Sequence, residues 1–123
     1  MQFLLLIYDD EKRWTNLGKP DYGSELDQYR AFGKEFAKAI QGGNALQPTA
    51  AAKTVRVRNG KALATDGPFA ETKEQLAGYY LVEAGDADEA IGIAAKIPGA
   101  RWIDRSAADL EIFLAARCRF SRT

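Results

Sequence analysis

Asp66 is the residue in this chain best placed to do chemistry. It opens the run Asp66-Gly67-Pro68-Phe69-Ala70-Glu71-Thr72-Lys73-Glu74, which packs an acid, a Gly-Pro pair, an aromatic and three further charges into nine residues. A minimal turn requires far less. Proline fixes its own φ and drives the preceding residue out of the helical region. Gly67 is therefore expected to be extended, or in a conformation that a side chain would forbid. Asp66 stands just before that rigid bend, and Phe69 is expected to anchor its far side by burial. There the carboxylate has two uses. It can accept backbone N–H groups as a turn cap, or it can project into a cleft as a general base or ligand-orienting acid. The chain contains no histidine, which excludes histidine bases, Ser-His-Asp triads and histidine metal sites. Its acids show no metal-ligand spacing, and no cofactor is implied.

If Asp66 faces a cleft, the aromatic residues Tyr8, Tyr29, Phe69, Tyr79 and Tyr80 are the candidates for its walls, with Arg101 and Glu111 as further polar contacts. Ligand sites are mostly apolar with a few placed polar groups, and this set has that balance. Each member also has a plainer reading. Tyr29 lies on an apolar helical stripe of the kind that usually packs a core, and Arg101 with Glu111 reads equally as a surface ion pair.

Composition narrows the class. At 123 residues the chain makes one domain, able to bury roughly two-thirds of its unfolded surface without disulfide or metal staples. Seventeen basic and seventeen acidic residues cancel, which argues against direct nucleic-acid binding. Cys118 is alone, so no internal disulfide forms, in keeping with a reducing cytoplasm. The apolar start, residues 1–8, is too short to span a membrane and lacks the features of a signal peptide. The domain is expected over residues 1–116, with 117–123 as a basic tail.

The elements that would position these residues follow from patterning. Phe3-Leu4-Leu5-Leu6-Ile7-Tyr8 is apolar throughout, as befits a central strand covered on both faces. Residues 24–41 predict a helix, with Leu26, Tyr29, Phe32, Gly33, Phe36, Ala37 and Ile40 on one face and Gly42-Gly43 as its stop. A short extended piece is expected at 45–48. Residues 53–65 predict a hairpin turning at Asn59-Gly60, with Val55, Val57, Ala62 and Ala64 on one face and the basic residues on the other. A strand is expected at 78–84. A helix follows over 86–97, boxed by Asp86 and Glu89 and showing a face of Ala90, Ile91, Ala94 and Ala95. Two more strands are expected at 100–103 and 110–115.

This order is a ferredoxin-like α+β pattern with an added hairpin. Two helices cover one face of an antiparallel sheet, so the other face needs a partner, and a two-fold homodimer through sheet faces is the simplest closed answer. The nine-residue run, with Gly78-Tyr79-Tyr80-Leu81 behind it, resembles the signature of the YCII-related family in its DGPF-motif branch. The opening strand, the Asn59-Gly60 hairpin and Ile97-Pro98-Gly99-Ala100 are similar too. The resemblance implies a dimeric α+β barrel. In the founding branch a His-Asp pair is proposed as the active site, and Asp66 matches its aspartate. With no histidine in the chain, that mechanism cannot operate here. The resemblance also implies a regulatory setting near extracytoplasmic-function sigma factors.

Three functions are compatible with these readings. The first is a cytoplasmic protein that binds or senses a small molecule in a cleft beside Asp66. The second is a cofactor-free lyase or isomerase using Asp66 as base. The third is an interaction module in sigma-factor regulation. The first is preferred, since it asks least of a chain without histidine.

Overall fold

In a computed structural model the described residues are 1–12, 19–71, 74–98 and 111–116. Eight main elements follow in the order β1 (Gln2–Asp9), α1 (Lys19–Glu35), β2 (Ile40–Ala45), β3 (Lys53–Arg58), β4 (Lys61–Asp66), β5 (Gln75–Glu83), α2 (Ala87–Ala94) and β6 (Glu111–Ala116). A single 3-10 turn, Thr49–Ala51, joins β2 to the hairpin. The main sheet has the order β2-β5-β1-β6, and its paired strands are all antiparallel. That is the ferredoxin-like arrangement expected of two β-α-β halves. β3 and β4 form a separate two-stranded ribbon.

β1 is central, as its continuous apolar run predicts. Its burial alternates: Phe3, Leu5, Ile7 and Asp9 are buried, and the residues between them are half-buried. The buried set meets the helices. Phe3, Leu5, Val82, Ala90, Ile93 and Ile97 form the core with Phe32, and Tyr29, Phe36, Tyr80 and Leu114 pack around it. Phe32 stacks at a tilt on both Phe36 and Tyr80, with ring centres 5.1 Å apart in each case, the favoured geometry for aromatic pairs.

Both helices follow their sequence signals, with changed boundaries. α1 begins at Lys19, before the start expected at residue 24, and ends at Glu35 rather than Gln41. The next four residues turn: Ala39 N and Ile40 N both donate to the Phe36 carbonyl. The chain then enters β2, so Gly42 and Gly43 lie inside a strand instead of ending a helix. The extended piece expected at 45–48 is thereby shifted to 40–45. Close approach explains the change. A Cβ at Gly43 would lie 2.6 Å from the Tyr79 carbonyl oxygen and 2.8 Å from Tyr80 Cδ1. Only glycine lets β2 sit against β5 at that point.

α2 carries the reciprocal cap. Asp86 accepts from Glu89 N at 2.8 Å, and Glu89 accepts from Gly85 N at 2.7 Å. It stops at Ala94, short of Ile97, and its buried face is Ala90, Ile93 and Ala94. Ile91, expected on that face, is exposed.

The hairpin turns through positive φ at Asn59 and Gly60, and Val55 faces Ala64 while Val57 faces Ala62 in the expected register. The strand expected at 100–103, with Arg101, Trp14, Trp102, Cys118 and the basic tail, lies outside the described residues.

The glycine contact gives a paired test. Gly43→Ala should destabilise the fold by about 1–3 kcal/mol through overpacking. Gly42→Ala, whose Cβ meets nothing within 4 Å, should change stability by no more than about 0.5 kcal/mol. Urea unfolding of both variants checks the contrast.

Candidate functional site

A cavity of about 490 Å³ opens between the middle of α1, the C-terminal end of β1 and the β2–β5 edge. Leu26 and Tyr29 overhang it from α1, Ile7 and Asp9 reach it from β1, and Tyr80 from β5. The segment from Gly43 to Pro48 closes one side. Its position follows from the fold. Tyr29 is one turn before Phe32, so the helical stripe that fills the core runs on into the cavity.

Two carboxylates line its end. Asp9 is 3% exposed, and is the buried charged residue of the described core. Its Oδ1 accepts from Asp10 N at 2.9 Å. Burial follows from register: Asp9 continues the alternation of Phe3, Leu5 and Ile7 and so points to the covered face. Glu11 ties three segments together. Its own N–H donates to Gln75 Oε1 at 3.0 Å. Its carboxylate accepts from Thr49 N, and from Thr49 Oγ1 at 3.1 Å. Thr49 N belongs to the first turn of the 3-10 helix, where donors have no partner within the helix. Glu11 supplies that partner and holds the wall near Pro48 against the end of β1.

Tyrosine chemistry completes the lining. Burial raises the Tyr80 hydroxyl above its ordinary value, so it stays neutral well into the alkaline range. Asn44 and Tyr79 are opposite in register, and Asn44 Nδ2 donates to Tyr79 Oη at 3.3 Å, a contact made on the sheet face that Leu6 occupies and not inside the cavity.

The residues singled out by sequence divide sharply. Tyr29 and Tyr80 come together at the cavity; Tyr79 borders it as well, but it is paired with Leu6, so its side chain lies on the opposite sheet face. Tyr8 is half-buried on the opposite parity of β1 from Asp9, and is not among the lining residues. Asp66 and Phe69 do not line the cavity either. Asp66 ends β4, its side chain 87% exposed and paired with Lys53 Nζ at 2.7 Å. Phe69, expected to be an anchor, is 81% exposed. The bend between them has the expected backbone: Gly67 has φ 90°. Gly67 N donates to the Ala52 carbonyl, and the Gly67 carbonyl accepts from Thr54 Oγ1 at 2.9 Å. The motif thus closes the base of the hairpin. Because β3 and β4 pair with each other and not with the main sheet, that base is carried away from the cavity. Glu111 faces Tyr8 across the β1–β6 ladder, and Arg101 lies outside the described residues.

Sequence reasoning passed over Asp9 and Glu11. For Asp9 a signal existed: an acid in phase with three large apolar residues on one strand face.

No group of three or more metal-ligating side chains occurs among the described residues, and no described helix is long and apolar enough to cross a membrane. Comparison with known proteins settles kinship. The profile of the YCII-related domain matches residues 1–112, which takes in every element down to the start of β6. The chain belongs to the YCII-related family. The uncharacterized protein R00369 of Rhizobium meliloti (strain 1021) is 35% identical over 102 residues, covering 81% of this chain and 82% of that protein. In this YCII-related protein the matched span includes the cavity walls and both carboxylates.

The Glu11 tether can be measured directly. Glu11→Ala should lower stability by about 1–2 kcal/mol and speed hydrogen exchange at the Thr49 amide about tenfold or more. Exchange at core amides such as Leu5 should rise only in proportion to the global loss.

Proposed function

We propose that this YCII-related protein binds a small organic molecule in the cavity beneath α1. The observation that carries the reading is the make-up of that cavity: about 490 Å³, walled by apolar and tyrosine side chains, with a buried carboxylate at its end. Ligand cavities commonly span about 300–1,000 Å³ and combine apolar walls with a few fixed polar groups. The ligand-binding role preferred from sequence is kept, and its location moves from Asp66 to the Asp9 side. A neutral environment-sensitive dye, Prodan, tests it. Its emission should shift to the blue on binding, and Leu26→Trp, which fills the cavity from a partly exposed position, should abolish the shift. A dye shift that survives Leu26→Trp, or none with the parent protein, would rule the cavity out as a binding site.

A second reading concerns assembly. Leu4, Leu6, Tyr8, Leu81 and Ala115 are half-buried on the sheet face opposite the core, and no described helix covers that face. We propose that it packs against the same face of a second copy, a self-complementary two-fold contact. Analytical ultracentrifugation between about 1 and 100 µM should show a dimer, and Leu6→Lys should shift it to monomer. A parent protein that stays monomeric throughout would refute this.

A further inference from the structure

The polar groups around the cavity are unevenly used. At its acidic end both carboxylates are engaged: Asp9 Oδ1 accepts from Asp10 N at 2.9 Å, and the Glu11 carboxylate accepts from Thr49 N and, at 3.1 Å, from Thr49 Oγ1. Tyr80 is different. It stands opposite Leu5 on the covered face of the sheet and lines the cavity, yet its hydroxyl makes no hydrogen bond to any described residue. Loss of water is what raises the pKa of that hydroxyl, so it is a donor throughout the neutral range. A hydroxyl withdrawn from water without a partner is costly, and a ligand acceptor would remove that cost. The ring that carries it is held in place. Phe32 stacks on it with ring centres 5.1 Å apart, and a Cβ at Gly43 would lie 2.8 Å from Tyr80 Cδ1. A donor fixed in advance loses little freedom when a ligand binds. Around it stand Ile7 and Ala45 from the sheet, with Leu26 and Tyr29 from α1, walls that suit a flat apolar body. A carbonyl oxygen accepts and donates nothing, so it satisfies Tyr80 and leaves no unpaired donor against those walls. A ligand hydroxyl or amine would bring a donor of its own.

We infer that the ligand of this cavity is a neutral aromatic ketone, its rings beneath Leu26 and Tyr29 and its carbonyl oxygen accepting from Tyr80 Oη. This rests on the cavity being the binding site proposed above.

The test uses two probes of one shape, 2-acetylnaphthalene and 2-isopropenylnaphthalene, which differ only in a carbonyl oxygen against a methylene group. Each competes with Prodan, and displacement is converted to Kd with the dye's own affinity for the protein used. Selectivity for the ketone is the Kd of the isopropenyl compound divided by that of the acetyl compound. It should fall about fivefold from the parent protein to Tyr80→Phe, the value of one neutral hydrogen bond. Without ligand, Tyr80→Phe should melt no lower than the parent, because the lost hydroxyl has no protein partner. Selectivity unchanged by Tyr80→Phe overturns the ketone assignment while Prodan binding preserves the cavity. A melting temperature lower by more than about 4 °C overturns it as well, by showing that the hydroxyl is already bonded within the protein. Failure of Prodan itself to bind overturns both readings.

Discussion

The structure hangs on one strand that must be covered on two sides. β1 is apolar at nearly every position from Phe3 to Tyr8, so it belongs in the middle of a sheet and nowhere else. β5 and β6 flank it. The helices take one of its faces, through Phe3, Leu5 and Ile7. Everything that follows is a matter of finding room around that strand. β5 brings Val82 and Tyr80 opposite Phe3 and Leu5, and β2 reaches β5 only because Gly43 and Gly78 let the two backbones approach. A larger residue at either position would push β2 outward and open the core that Phe32 and Tyr80 share.

The cavity is the place where this packing stops. Core side chains are large at the Phe3 end of β1 and end at Ile7, and the next inward residue is Asp9. A carboxylate cannot be packed as a hydrocarbon, so the helix overhead is not drawn down onto it. Glu11 then fixes the far wall by accepting from Thr49. The hollow arises from two acids ending an apolar strand, with a tyrosine at the same end of the helical stripe. Its shape and its charge therefore have a common origin.

Much of the fold was legible in sequence because its signals were local. The apolar run fixed β1, Asn59-Gly60 fixed the hairpin and its register, and Asp86 with Glu89 fixed the start of α2. The α1–β2 boundary was not legible. Apolar spacing continues through Phe36 and Ala37 to Ile40, and Gly42-Gly43 looks like a helix stop, while its actual use depends on the nearness of Tyr79, far along the chain. The site was half legible. Tyr29 and Tyr80 were recognisable as candidate walls, and only the register of β5 separates Tyr79 from them. Asp66 drew notice because its turn chemistry is conspicuous, yet conspicuous turn residues often serve the backbone alone. Alternation within a two-stranded ribbon does not reveal whether the ribbon joins a larger sheet. Asp9 carried the better clue, its phase with Ile7, and that clue becomes meaningful only once one face of β1 is known to be covered.

The hairpin is sealed where it leaves the body. Gly67 bonds to both Ala52 and Thr54, and Lys53 pairs with Asp66 across the first rung. Beyond that rung Val55, Val57 and Leu63 are exposed on both faces of the ribbon. Such a ribbon can gain or lose residues in matched pairs at its tip with no rung moved below the change. A change of length at that tip would leave the sheet, its glycines and the acidic end of β1 in their original frame.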